Sequence, residues 1–168
     1  MKSYIIEKEW INNGLKCIAV FQMGGYRCGY VEVPQTHPLF GKYYTNYINN
    51  STNVEIKDFF EVHGGITFSG ESSEQSANHN WYFGFDCAHW NDIPDLNLAE
   101  KYFPEEKSLY SALKSTLINT NQKENETIKT LDYVVKQCEI LAKQLVDYDR
   151  NFIKNQQEKA IKGEVNND

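Results

Sequence analysis

The sequence predicts an α+β fold in which an antiparallel sheet is covered by a long C-terminal amphipathic helix, with a mixed sheet as the alternative. Two observations predict it. Short β-rich runs separated by turn residues fill residues 1–104, and a sustained helical periodicity dominates residues 105–156. The polar residues 157–168 are expected to form a fraying tail. A chain of 168 residues is the size of a single domain.

A three-stranded meander is predicted for residues 4–34. The segment Asn12-Asn13-Gly14 is a strong turn signal because Asn and Gly tolerate a positive φ, and Gly24-Gly25 provides a second turn. Pro34 ends the last strand, since proline cannot donate to a sheet ladder. The three predicted strands are Tyr4–Trp10, Leu15–Met23 and Tyr26–Val33.

Two further strands are predicted to pair as a hairpin. The first is Val54–Val62, which continues through His63-Gly64-Gly65 to Ile66-Thr67-Phe68, and its part from Val62 to Gly70 is the predicted hairpin partner. The adjacent glycines indicate a bulge or a close approach to the backbone. Trp81–Cys87 is a short aromatic strand with the composition of a sheet centre. The polar segment Ser69–Asn80 joins them as a loop that is mobile or closes over a pocket.

The rest of the chain is predicted to be irregular first and helical afterwards. Ala88–Pro104 carries two prolines and is expected to be irregular, and Ser108–Ile118 favours a short helix. Thr127–Phe152 predicts one continuous helix of about 39 Å. Apolar side chains, here called the apolar seam, recur at alternating spacings of three and four: Leu131, Val134, Cys138, Leu141, Leu145, Tyr148 and Phe152.

We expect the apolar seam to be buried in two ways. Its first half, through Leu145, covers one face of the sheet. The second half extends beyond a domain of this size, so a ridge of Tyr148, Phe152 and Ile153 would meet a second copy of the chain across a two-fold axis. The sequence therefore predicts a homodimer formed through the C-terminal helix.

Composition narrows the classes of function. A net charge of −6 argues against a general nucleic-acid binder, which needs a basic surface to replace counterions. No stretch resembles a secretion signal or a membrane span, so a cytoplasmic location is expected. The cysteines lack the paired spacing of zinc sites and are predicted to be reduced and buried, and no cofactor is indicated. These are Cys17, Cys28, Cys87 and Cys138.

Candidate catalytic residues cluster around the predicted hairpin. Pairing of its strands would bring His63 to the same end of the sheet as Asp86 and His89. Asp86, His89 and Asp92 follow one another at intervals of three, which can direct several polar groups into one pocket. We predict that His63, Asp86 and His89 converge there. The alternatives are a His63 that binds backbone at a bulge and an Asp86 that caps the following turn.

The predicted ligand contacts extend beyond these residues. Imidazoles would bind phosphate, backbone amides of the glycine pair would bind an anion, and aromatic rings would stack on a base. His37 has a structural alternative beside Pro38, and Cys87 as a nucleophile is disfavoured by burial. No metal ligand is assigned. The predicted contacts are His37, His63, Gly64, Gly65, Thr67, Trp81, Asp86, His89 and Asp92.

Several motifs resemble those of small, mostly unannotated proteins of bacteriophages and bacteria. The resemblance spans about residues 26–145 and implies a shared architecture and a shared site, without supplying a reaction. This chain departs from the pattern in the linker 119–126 and in the helix beyond Leu145. The matching segments are Val33-Pro34, His37–Tyr44, Val62–Thr67, Trp81–Asp92 and Tyr133–Leu145.

Three functions are compatible with these features. The first is a phage-type protein that binds a small phosphorylated or nucleotide-like ligand and sequesters a host immune signal, by analogy with other small phage proteins. The second is a hydrolase for such a ligand, in which His63 or His89 acts as general base or metal ligand. The third is a protein–protein inhibitor that uses the exposed part of the C-terminal helix. Walker, Rossmann, esterase, zinc-protease and zinc-deaminase motifs are absent, which favours binding over catalysis.

Overall fold

A computed structural model describes residues 3–71, 80–119 and 127–164. The fold is α+β, as predicted. Five strands form one sheet: β1 Tyr4–Asn12, β2 Leu15–Gln22, β3 Arg27–Val33, β4 Phe68–Glu71 and β5 Trp81–Asp86. Their order in the sheet is β1-β2-β3-β5-β4. Every pairing of these strands is antiparallel, so the mixed alternative does not apply to them.

The helices follow the sheet strands in a C-terminal block, apart from one short turn of helix. They are α1 Ile56–Phe59, α2 Leu96–Tyr102, α3 Lys107–Asn119 and α4 Leu131–Glu164, with a 3₁₀ turn at Pro104–Glu106. The 34 residues of α4 make it about 51 Å long. It begins four residues later than predicted and continues through Glu164, so the expected tail is helical as far as the structure describes it.

The meander forms as the turn residues predict. Asn13 and Gly14 have φ values of 50° and 81°, the left-handed conformation that allows β1 and β2 to join through a tight turn. β1 carries one irregularity, a register shift between Ile6 and Lys8 opposite β2. This shift leaves Glu7 as an extra residue in the strand.

The apolar seam of α4 packs on one face of the sheet, as predicted for its first half. Val134, Cys138, Leu141 and Leu145 are fully buried. The helix approaches β3 so closely that a Cβ added to Gly29 would lie 2.6 Å from the Cys138 sulfur. A side chain at this position would therefore separate the helix from the strand.

The strand predicted for Val54–Val62 is wrong. The segment contains the short helix α1 and then a turn, and His63-Gly64-Gly65 lies in that turn instead of at a bulge. Its β-like composition reflects burial of an irregular segment, since Ile56 and Phe60 are core residues. The hairpin partner of β5 is only β4, so Ser69–Glu71 belong to a strand; residues 72–79 lie outside the described residues.

A helix also replaces part of the irregular segment predicted for Ala88–Pro104. Asp95 caps α2, because its Oδ1 accepts the Leu98 N–H at 3.0 Å. Leu96 and Ala99 then pack against Phe21 in a second hydrophobic cluster beneath β2. The two prolines flank the helix and do not interrupt it.

The distal end of α4, residues 149–161, leaves the sheet. Tyr148 still belongs to the core, since its hydroxyl donates to the Ile48 carbonyl at 3.0 Å. Phe152 and Ile153 are 40% and 49% exposed. The expected dimer ridge therefore excludes Tyr148. No helix in the described part of the chain is long and apolar enough to cross a membrane.

Candidate functional site

The turn that carries His63 is shaped by its glycines and attached to α4. Gly64 and Gly65 adopt φ values of 67° and 81°, which side-chain-bearing residues rarely adopt. The Gly65 N–H donates to the Val62 carbonyl at 3.0 Å and closes the turn. The His63 N–H donates to Gln137 Oε1 at 2.9 Å, which holds the turn on the helix surface.

A second turn follows β5 and brings its acidic residues back toward the sheet end. Asp86 Oδ1 accepts the Ala88 N–H at 3.0 Å, which is the capping role considered as its alternative. Asp92 Oδ2 accepts the His89 N–H at 3.0 Å, and the Asp92 N–H donates to the His89 carbonyl at 2.9 Å. These local bonds fix the carboxylates before any distant contact is made.

His63 lies between a buried carboxylate and a tyrosine. Its Nε2 is 2.7 Å from Asp92 Oδ2, and its Nδ1 is 2.9 Å from the Tyr133 hydroxyl. Burial raises the pKa of Tyr133, and the nearby Cys87 and Asp92 raise it further through electrostatic interaction. This hydroxyl therefore stays protonated at neutral pH. A neutral His63 then accepts from Tyr133 at Nδ1 and donates from Nε2 to Asp92.

Asp92 is the electrostatic centre of the site. Its side chain is only 3% exposed, and Lys129 Nζ lies 3.4 Å from Oδ1. Burial raises the pKa of the Asp92 carboxyl, but the hydrogen bonds from His63 and from the His89 N–H, together with the charge of Lys129, outweigh burial and hold this pKa below its ordinary value. The carboxylate is therefore ionised at neutral pH.

His89 completes the group, here called the histidine cluster, of His63, His89 and Asp92. The two imidazole rings meet edge to face with centroids 5.2 Å apart. His89 Nδ1 lies 3.5 Å from Asp92 Oδ2 and 3.8 Å from Asp86 Oδ1, yet this buried nitrogen has no hydrogen-bond partner. The side chain as a whole is 37% exposed, so part of the ring is accessible to solvent.

The ring of His89 rests directly on Gly64. A Cβ added to Gly64 would lie 2.0 Å from His89 Cε1. Glycine is therefore required here for two reasons, the positive φ and the contact with the ring. This contact explains the close backbone approach that the glycine pair predicted, although it occurs in a turn.

An open pocket of about 350 Å³ adjoins the histidine cluster. Asp86 and Ala88, which belong to the turn of the cluster, also line this pocket. Four aromatic residues contribute to the remaining lining, Tyr26, Tyr30, Phe68 and Phe85. Thr67 lies at the same pocket, as one of the predicted ligand contacts.

The structure brings most, but not all, of the predicted site residues together. His63, Gly64, Asp86, His89 and Asp92 meet at one end of the sheet, as the sequence predicted for His63, Asp86 and His89. The anion-binding role predicted for the Gly65 amide is wrong, because this N–H donates to Val62.

His37 and Trp81 lie away from the cluster. His37 is buried, accepts the Leu39 N–H at Nδ1 and donates from Nε2 to the Leu145 carbonyl. Both ring nitrogens are thus used inside the core, which is its structural alternative. Trp81 is at the opposite end of β5 from Asp86, where its Nε1–H donates to the Lys42 carbonyl at 3.2 Å.

The cysteines are free and buried, as predicted. Burial raises the pKa of Cys87 to about 12 and that of Cys28 to about 11. A thiol that stays protonated at neutral pH is a poor nucleophile. Cys87 therefore supports the core beneath the site and takes no part in its chemistry.

Sequence reasoning did not find the residues that α4 and its approach contribute. Lys129, Tyr133 and Gln137 contact the cluster or its turn from this side. A signal was present: Tyr133, Gln137 and Gln144 are spaced by four and seven, forming a polar stripe beside the apolar seam. Gln144 bonds the same loop, since its Oε1 accepts the Glu61 N–H.

Comparisons with family models, with curated proteins and with solved structures find no match for this chain. The function is therefore inferred from the geometry of the histidine cluster and the adjoining pocket.

Proposed function

We propose that this chain binds a small ligand that combines a planar ring with a phosphate or similar polar group, as a nucleotide does. One observation carries the proposal: Asp86 belongs both to the ring-lined pocket and to the surroundings of the histidine cluster. A ligand that extends from the pocket past Asp86 would contact aromatic rings at one end and the His89 imidazole at the other. A volume of about 350 Å³ is at the lower end of the range for small-molecule sites.

The pocket offers a stacking surface built across three strands. Tyr30 on β3 and Phe68 on β4 both pair with Gly84 on β5. Because Gly84 has no side chain, the two rings meet above it at 5.3 Å in an edge-to-face arrangement. Phe68 is 39% exposed, so part of its ring is accessible for stacking by a base or another ring.

The polar end of the ligand would lie at His89. This imidazole is partly exposed, and the neighbouring Trp90 is 82% exposed, so both are accessible from the same turn. Asp86 accepts hydrogen bonds and suits a sugar hydroxyl or an exocyclic amine. The sequestration of a signalling nucleotide, which the resemblance to phage proteins suggests, would follow from tight binding without turnover.

The test is calorimetric titration with a nucleotide panel that includes mononucleotides and cyclic dinucleotides. Phe68→Ala should weaken binding about tenfold or more, because stacking contributes about 1–3 kcal/mol per base. His89→Ala should weaken binding about tenfold as well, because it removes the hydrogen bond to the polar end of the ligand. Ile11→Ala, an exposed residue at the far edge of the sheet, is the matched control and should bind as the native protein does. Absence of binding across the panel would contradict the proposal.

A second candidate, hydrolysis of the same ligand, is favoured by the bonding of His63. A histidine oriented by a buried carboxylate is the arrangement that general-base catalysis uses. If the chain is a hydrolase, ligand recovered after incubation is cleaved, and His63→Gln preserves binding while abolishing cleavage. Recovery of intact ligand from the native protein supports binding alone.

A further inference from the structure

We propose that the histidine cluster is a binding site for one divalent transition-metal ion, of the class that includes Zn²⁺. His63, His89 and Asp92 each offer one ligand atom, and these atoms all lie within 4.8 Å of one another. Two imidazoles and one carboxylate are donors that zinc and its neighbours in the first transition row prefer. The sequence assigned no metal ligand, although the hydrolase hypothesis considered His63 or His89 in that role.

The two separations that involve Asp92 are close to those around a bound ion, and the His63 and His89 nitrogens lie within 4.8 Å of each other and would have to approach. Bonds of about 2.0–2.2 Å to zinc place two ligands of a tetrahedral ion about 3.3 Å apart. His89 Nδ1 and Asp92 Oδ2 are already 3.5 Å apart. His63 Nε2 and Asp92 Oδ2 are 2.7 Å apart, so an ion would replace their hydrogen bond and widen this distance by about 0.6 Å.

The surroundings of the cluster resemble the outer shell of a metal site. A metal-bound imidazole usually directs its second nitrogen to a fixed polar partner, and His63 Nδ1 already contacts the Tyr133 hydroxyl. With a metal at Nε2, the Nδ1–H would donate to the Tyr133 oxygen. Lys129 contacts the other oxygen of Asp92, so Oδ2, which also accepts the His89 N–H, is the oxygen nearer to the ion.

An independent observation is the unbonded nitrogen of His89. Nδ1 is buried and has no hydrogen-bond partner, which is unfavourable for a polar atom in a folded protein. Coordination of a cation would satisfy this atom. Its position beside two carboxylates, those of Asp86 and Asp92, is also where a positive ion is most favourable.

Three protein ligands leave a fourth position free. Sites of this kind bind water or a substrate atom, unlike four-ligand structural sites. Lys129 lies 3.4 Å from Asp92 and repels a second cation, so we expect weaker binding than in structural zinc sites. The proposed metal site does not depend on the proposed nucleotide-like ligand. A bound ion would, however, place a positive charge near Asp86 and Asp92, where a phosphate group could interact with it.

The experiment is titration of chelator-treated, full-length protein with Zn²⁺ by calorimetry and with Co²⁺ by visible absorption. The native protein should bind a single ion, with the absorption of nitrogen- and oxygen-coordinated Co²⁺. Removing a ligand in His89→Ala or Asp92→Asn should weaken binding at least tenfold, and removing an outer partner in Tyr133→Phe about tenfold. Asn91→Ala, in the same turn, and Asp58→Asn, an exposed carboxylate, are matched controls.

No nucleotide is used, so failure of this test is distinct from failure of the proposed function. Circular dichroism establishes that the variants are folded, and the partly exposed His89 provides the variant least prone to unfold. Absence of Zn²⁺ and Co²⁺ binding by the native protein would overturn the proposal. Equal affinity in the native protein, in His89→Ala and in Asp92→Asn would overturn it as well.

Discussion

Two clusters of polar residues near α4 each contain a buried carboxylate. They differ in how completely their polar atoms are hydrogen-bonded. Glu7 and Arg27, here called the Glu7–Arg27 pair, are 5% and 7% exposed and share two hydrogen bonds of 2.7 and 3.0 Å. Arg27 also donates to the Lys129 carbonyl and packs over the Phe21 ring. All three guanidinium nitrogens therefore donate to protein oxygens.

The histidine cluster contains a carboxylate buried to the same degree, but the groups around it are incompletely bonded. Asp92 is 3% exposed, whereas His89 is 37% exposed and has an unbonded ring nitrogen. Lys129 contacts both groups. Its carbonyl accepts a hydrogen bond from Arg27, and its ammonium lies close to the Asp92 carboxylate. The difference indicates that the Glu7–Arg27 pair stabilises the fold, whereas the histidine cluster retains bonding capacity for a ligand.

The largest effect should come from breaking the Glu7–Arg27 pair. Glu7→Ala leaves the guanidinium buried without its carboxylate and should lower the free energy of unfolding by about 3–5 kcal/mol. Glu9→Ala, which removes an exposed partner of Lys16 in the same strand, should cost about 0–1 kcal/mol. Denaturant unfolding measures both. A loss below about 1 kcal/mol in Glu7→Ala would refute the structural role.

Gly64→Ala should have the next largest effect and sharpens the role of the cluster. Its positive φ should cost about 1–2 kcal/mol, and the added Cβ would displace the His89 ring. Gly41→Ala is the matched control, because Gly41 has a φ of 72° and open space around its Cβ position. Both variants should lose stability, but only Gly64→Ala should lose Zn²⁺ affinity in calorimetry. Equal affinities would show that the contact with His89 does not shape the site.

His37 offers a smaller test, since it is a histidine with both nitrogens bonded. Burial lowers the pKa of His37, although the Leu145 carbonyl partly offsets it. The unfolded chain therefore binds a proton more readily than the folded one. Stability should be complete above about pH 6.5 and fall below it toward the folded pKa, by at most about 1.4 kcal/mol per pH unit.

Denaturant titrations between pH 7.5 and 5 check this prediction. His37→Gln keeps a donor for Leu145 but does not titrate, so its stability should depend less steeply on pH in this range. An unchanged slope would assign the pH dependence to other groups and return His37 to the candidates for a functional role.

The smallest effect on folding is expected at the distal end of α4. Phe152 and Ile153 are exposed, so replacing both by Lys should change the free energy of unfolding by less than about 0.5 kcal/mol per site. The predicted homodimer should nevertheless dissociate, which light scattering detects. Leu145→Lys is unsuitable for this purpose, because Leu145 is fully buried in the core. A native protein that is already monomeric would contradict the predicted dimer.

Local signals in the sequence predicted the meander, β5 and the long helix. Asn13-Gly14 sets the first hairpin, and the spacing of the apolar seam sets the buried face of α4, because each depends on residues close in sequence. The segment 54–65 was not predictable in this way. Its apolar residues Ile56 and Phe60 are buried in the core with distant α4 residues such as Leu145, and local composition does not distinguish this from a strand.

The site was predicted in part for the same reason. Asp86, His89 and Asp92 lie within one turn, in which Asp86 bonds the N–H two residues later and Asp92 bonds the N–H three residues earlier, so short spacings in the sequence indicated this part of the site. Tyr133 and Lys129 contact the site from a distant part of the chain. Spacing within the sequence does not reveal contacts of this kind. His37 lies in the core and not at the predicted site. Its ring donates a hydrogen bond to the Leu145 carbonyl of α4, a partner that is distant in sequence.

The position of His63 has a consequence for how the histidine cluster assembles during folding. Its hydrogen-bond partners are 29 and 70 positions away along the chain, on the turn after β5 and on α4. Loop closure over such distances is completed late in folding, since its entropic cost precedes the contacts that offset it. The unfolded chain has no such site, so any ligand of the native cluster shifts the folding equilibrium toward the assembled state. A ligand is therefore bound at the cluster only in molecules in which α4 has packed against the sheet.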